Sequence, residues 1–70
     1  MHRYLVVIEK AEGNYSAYSP DLPGCIATGS TMEETKKNMA DAISFHMEGL
    51  RLEGLPIPDG EASSEYVTVS

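Results

Sequence analysis

Seventy residues with eleven acids against five bases carry a formal net charge of -6. That balance disfavours direct contact with nucleic-acid phosphates, which need clustered Lys and Arg, and it suits solubility or a basic protein partner. A chain this short buries only about 60% of the surface it exposes when unfolded, so a disulfide, a metal or a second chain usually supplements the core. The one cysteine excludes a disulfide within the chain, and His2 and His46 stand too far apart to suggest a metal site. A single domain over 1–70, without cofactor and acting as a homo-oligomer, is the expectation. The longest early apolar run, "YLVVI" (4–8), is too short for a signal peptide or a membrane span. The expected location is therefore the cytoplasm, with no membrane partner.

"RYLVVIEK" (3–10) is rich in β-branched and aromatic residues and reads as a strand. Gly13 and Asn14 follow where a hairpin needs residues tolerant of positive φ. "YSAYS" (15–19) alternates as a second strand. "SPDLPGC" (19–25) then turns the chain into a short third strand, "CIAT" (25–28). In the turn, Pro20 and Pro23 fix φ, and Asp21 is suited to hydrogen-bonding its own backbone.

The period changes in "GSTMEETKKNMADAISFHMEGLRLEG" (29–54). Ser30 with Glu33, or Thr31 with Glu34, forms a capping box, and the two acids favour the positive end of the helix dipole. Met32, Met39, Ile43, Met47 and Leu50 line one face of a helix of about five to six turns, with Thr35, Ala42 and His46 alongside. Gly54 stops it, and Pro56 and Pro58 prevent its continuation. After a polar connection, "EYVTVS" (65–70) alternates Tyr66 and Thr68 with Val67 and Val69 as a fourth strand. The order is β-β-β-α-β, an α+β layer with one helix on one face of an antiparallel sheet.

One helix covers one sheet face, yet the first strand is apolar on both: Tyr4, Val6 and Ile8 against Leu5 and Val7. A strand with water on one side should alternate cleanly. Phe45 and Leu52 add a second helix stripe, with small Gly49 between them. Phe45, Gly49, Leu52, Val67 and Val69 are thus the candidate oligomer interface. The alternative is that residues 54–64 and the last strand shield this stripe within the chain.

The chemistry-bearing residues do not assemble into an enzyme. Cys25 opens a strand, where a free cysteine acts as a small buried apolar residue, and a nucleophile would need a base beside it. Asp21 alone cannot hold two metal ions. No Lys-Ser/Thr follows the glycines as a phosphate loop requires.

The ordered set "YSAYSPDLPGC", "ATGSTMEET" and, after the helix, "GLPIP" resembles the HicB-like antitoxin family over about residues 3–69. The resemblance implies a partial RNase H-like fold of three antiparallel strands, a helix and a fourth strand. It also implies the antitoxin half of a toxin–antitoxin pair, acting as a dimer or tetramer. The partner would be a small basic HicA-type toxin that cleaves mRNA. The motif turn Pro20, Asp21, Leu22, Pro23 and Gly24 becomes a structural marker and a candidate partner contact. Many members add a C-terminal DNA-binding segment; the sequence stops at Ser70, so none is expected here. Two other readings stand beside this one: an oligomeric scaffold without a toxin, and a degenerate RNase H-like nucleic-acid-binding domain.

Overall fold

The computed structural model describes residues 2–70. Three strands, β1 (Val7–Ala11), β2 (Asn14–Tyr18) and β3 (Ile26–Gly29), precede a single helix, α1 (Met32–Leu52). The sheet is an antiparallel meander in the order β1-β2-β3. Glu12 and Gly13 link the first hairpin, with φ +87° at Gly13. Asn14, expected in the turn, instead pairs with Ala11 as the first rung of the ladder. β1 is shorter than its apolar run, because residues 2–6 continue beyond the last rung, Val7 opposite Tyr18.

The register sets two faces. Ile8, Ala17 and Ala27 form one cross-strand row, and Val7, Tyr18 and Ile26 form the adjacent row. Successive residues point to opposite faces, so these rows lie on opposite sides of the sheet. The helix covers the first. Ala17, Leu22, Cys25 and Met39 are buried there, with Tyr4, Val6, Ile8, Ala27, Ala42 and Ile43 packed around them.

Both helix ends are closed by the residues that the sequence offers. Thr31 is the N-cap, and its hydroxyl accepts from the Glu34 backbone N–H at 3.0 Å. The Glu34 carboxylate reaches back one residue further than the usual box and accepts from the Ser30 N–H at 3.0 Å. At the other end the Leu55 N–H donates to the Leu50 carbonyl and the Gly54 N–H to that of Arg51. With Gly54 at φ +70°, this is a Schellman closure. Thr35 and Met39 are the buried helix residues, whereas Met32, expected on the core face, is exposed in the first turn.

The helix sits closer to β3 than to β1. A β-carbon on Gly29 would lie 2.6 Å from the Thr35 hydroxyl, so only glycine admits the first helical turn at this distance. The Asn38 side-chain amide also donates to the Thr28 carbonyl at 2.8 Å. Both ties draw α1 toward the β3 edge and leave the β1 side of the same face open.

The α+β class, the three-stranded meander and the helix on one face agree with the sequence expectation. The expected fourth strand over 65–70 differs: among the described residues it joins no ladder. The chain after α1 is held only as far as Ala62, and residues 63–70 are exposed. The radius of gyration is 13.6 Å, against about 11 Å for a compact chain of this length. The C-terminal segment therefore extends away from the body.

Candidate interaction site

The 19–25 corner is two successive tight turns. The Leu22 N–H donates to the Ser19 carbonyl and the Cys25 N–H to the Leu22 carbonyl, both at 3.1 Å. Pro20, Pro23 and Gly24 face solvent, but Leu22 is wholly buried in the core. The corner is therefore pinned from inside by its own leucine. Asp21 also departs from expectation. Its carboxylate accepts from the backbone N–H groups of Glu61 and Ala62, at 3.2 and 3.1 Å, rather than from its own turn. The prolines leave Asp21 half-buried at the turn's edge, facing the chain that returns from the helix.

Two further contacts fix that returning segment. The Tyr4 hydroxyl donates to the Pro58 carbonyl at 2.6 Å. Gly60 lies so close to the Arg3 carbonyl that an added β-carbon would collide with the oxygen. Residues 58–62 thus cross the N-terminal end of the sheet, between the approach to β1 and the corner. Sequence reasoning missed this clamp. Its parts lie 40 to 57 positions apart, and only the proline-marked helix exit hinted that the segment is ordered.

Cys25 is buried, and burial pushes its thiol above the ordinary value of 9.0. A nucleophilic cysteine needs the opposite shift, so packing is the role this environment supports. His46 is half-buried at the helix edge. It lines, with Cys25, Ile26, Asp41 and Phe45, an open groove of about 540 Å³ between α1 and β3.

The five candidate interface residues fall in two places. Phe45 and Leu52 are 72% and 80% exposed on α1, and a β-carbon added to Gly49 between them would meet nothing within 4 Å. Residues 54–64 therefore do not shield this stripe; their clamped part, 58–62, lies against the approach to β1 and the corner. Val67 and Val69 are 79% and 84% exposed on the C-terminal segment. The structure does not bring the two groups together within one chain. On the sheet face away from the helix, Tyr18 and Ile26 are exposed beside half-buried Val7. A second groove, about 1040 Å³, opens between the helix and the β1 edge, lined by Tyr4, Val6, Ile8, Lys36, Ala40 and Ile43 among others. No helix among the described residues is long and apolar enough to cross a membrane.

These features are those of a small domain with several uncovered apolar surfaces. The chain is 38% identical over 68 residues to a UPF0150 protein of Thermoplasma acidophilum, covering 96% of each. It is 39% identical over 59 residues to a UPF0150 protein of Synechocystis, covering 83% of this chain and 75% of that one. An uncharacterised 14.9 kDa protein of Haemophilus phage HP1 is 36% identical over 64 residues, 91% of this chain but only 48% of the phage protein. The chain thus spans about half the length of that relative. Among solved structures, a chain of a HicA3 and HicB3 toxin-antitoxin complex superposes with a TM-score of 0.72 at 33% identity, covering 86% of this chain and 70% of that one. The family described as the HicB-like antitoxin of bacterial toxin-antitoxin systems matches residues 4–68. On that match, which takes in the meander, the clamp and nearly all of the C-terminal segment, the chain belongs to the HicB-like antitoxin family.

Proposed function

We infer that this chain is a cytoplasmic antitoxin domain that binds a small basic HicA-type toxin and holds it inactive, acting as an oligomer and catalysing no reaction itself. The observation that carries this reading is the structural likeness, at 33% identity, to a chain from a toxin-antitoxin complex. The charge supports it: a net -6 on 70 residues speeds encounter with a basic partner. The groove between α1 and β3 adds a docking surface whose lining includes Phe45 and the acidic Asp41.

Co-expression with a HicA-type toxin from an adjacent reading frame tests the proposal. The toxin should arrest growth alone, and this chain should restore growth and co-purify with it at a fixed stoichiometry. Growth arrest that persists despite soluble expression of both proteins would refute the reading. A second reading, an oligomeric scaffold without a toxin, is favoured by exposed Tyr18 and Ile26 beside half-buried Val7 on the sheet face away from the helix. A sister chain would cover that row. Stable self-association in a genome without a HicA-type neighbour would select this alternative.

A further inference from the structure

The segment 65–70 has the composition and alternation of a strand, but among the described residues it joins no ladder. The same molecule carries the complementary vacancy. β1 is an edge strand, bonded to β2 on one side only. Beside that edge lies the groove whose floor is Tyr4, Val6 and Ile8 and whose wall is Lys36, Ala40 and Ile43. An unpaired strand and an unpaired edge on one chain form a self-complementary pair, as closed two-fold assembly requires.

We propose that residues 65–70 are the missing fourth strand, donated to the β1 edge of a second copy, whose own segment returns the exchange. Val67 and Val69 lie on the same face of an extended segment and enter the groove between β1 and α1. Tyr66 and Thr68 extend the opposite face beside Leu5 and Val7. β1 has five residues and the segment six, so the two edges match in length. Acidic Glu65 approaches a groove whose charged lining is Arg3 and Lys36 against Asp59.

The second copy is favoured over the chain's own edge by the path of the chain beyond the clamp, whose Asp59, Gly60 and Ala62 already line the groove. The Asp21 carboxylate holds the amides of Glu61 and Ala62 against the β2–β3 corner. From there residues 63–70 lead off the body, with Val67 and Val69 bare. Pairing would also cover the exposed backbone groups of β1, an edge that invites uncontrolled association if left open. The proposal deepens the oligomeric part of the functional reading and is independent of any toxin.

The test uses the full chain alone. Isotope-labelled and unlabelled protein are mixed, unfolded and refolded together, and methyl contacts between unlike copies are recorded. Contacts from Val67 and Val69 of one copy to Ile8 and Ile43 of the other are expected, with a sedimentation mass at least twice the 7.6 kDa of one chain. Val67→Asp with Val69→Asp should weaken association by at least about a hundredfold, since two valines leave an apolar site on each exchanged strand. The proposal is overturned if those methyl contacts arise within one copy and the mass is that of a single chain. It is overturned equally if the doubly substituted protein associates as tightly as the original, which would assign the interface to another face. Because no toxin is present, failure of the exchange leaves the antitoxin reading to be judged by the growth assay alone.

Discussion

Asp21→Ala removes both acceptor contacts that fasten the chain after the helix. Hydrogen bonds to a charged group contribute about 1.5–3 kcal/mol each in favourable settings. Those of Asp21, at 3.2 and 3.1 Å, are longer than the usual charge-assisted range, and they lie at the partly solvated edge of the corner. We therefore expect about 1–2 kcal/mol for the pair, near the net value of two ordinary hydrogen bonds. For a domain of this size that loss lowers the melting temperature by about 4–16 °C. Protein concentration must be matched, because association raises apparent stability. The distinguishing readout is local: amide exchange at Glu61 and Ala62 should accelerate more than at Thr35 or Met39 in the helix. Asp21→Asn, which keeps an acceptor oxygen without the charge, should fall between. If the amides of Glu61 and Ala62 exchange at the same rate in the original and the alanine variant, the clamp does not exist in solution. The C-terminal segment would then have no fixed point of departure.

Leu22→Ala should be the most damaging change in the corner. The side chain is fully buried, and such truncations cost about 2–5 kcal/mol, a large part of the roughly 3.5–10 kcal/mol that a 70-residue domain has in total. Urea unfolding should show a strongly lowered midpoint, and a shift below about 1 kcal/mol would mean that Leu22 is not a core anchor. Cys25 gives a pH dependence. Its folded-state pKa is raised by burial, so its contribution to stability is fully present below the unfolded value of 9.0 and is lost as pH rises through the folded value. Stability of the original chain should therefore decline above about pH 9, and Cys25→Ala should remove that part of the slope. Identical pH profiles for the two proteins would contradict the buried placement of the thiol.

Local chemistry explains which parts of this structure could be read in advance. The helix was legible to within a residue or two, since Thr31, Glu34 and Gly54 carry cap signals that act over three or four positions. The meander was legible from Gly13 and from the proline corner, again over short separations. The two-faced character of β1 was also visible in Leu5 and Val7 opposite Val6 and Ile8, and the structure leaves the second face uncovered. What could not be read was contact at long separation. Asp21 looks like a turn residue in any local window, and only the folded chain brings the amides of Glu61 and Ala62 to its carboxylate. The strand over 65–70 is the converse case. Its residues alternate in type, but alternation specifies a face to be buried and does not name the chain that buries it.

This distinction connects the thin core to the proposed role. The buried apolar residues are Ala17, Leu22, Cys25 and Met39, two of them small, within a shell of half-covered side chains. Meanwhile Ile26, Phe45, Leu52, Val67 and Val69 are exposed. A chain in which the larger share of bulky apolar residues lies outside the core gains much of its stability only when a second surface covers them. By mass action, whatever covers them, sister chain or toxin, stabilises the fold by an amount that grows with its concentration. Folding and partner binding are then two parts of one equilibrium. The "SPDLPGC" corner serves both. Leu22 anchors the small core from inside, and Asp21 fixes the point from which the C-terminal segment departs. The carboxylate and thiol that stand so close in sequence are therefore separated in role: Cys25 belongs to the core, and Asp21 directs the part of the chain most available to another molecule.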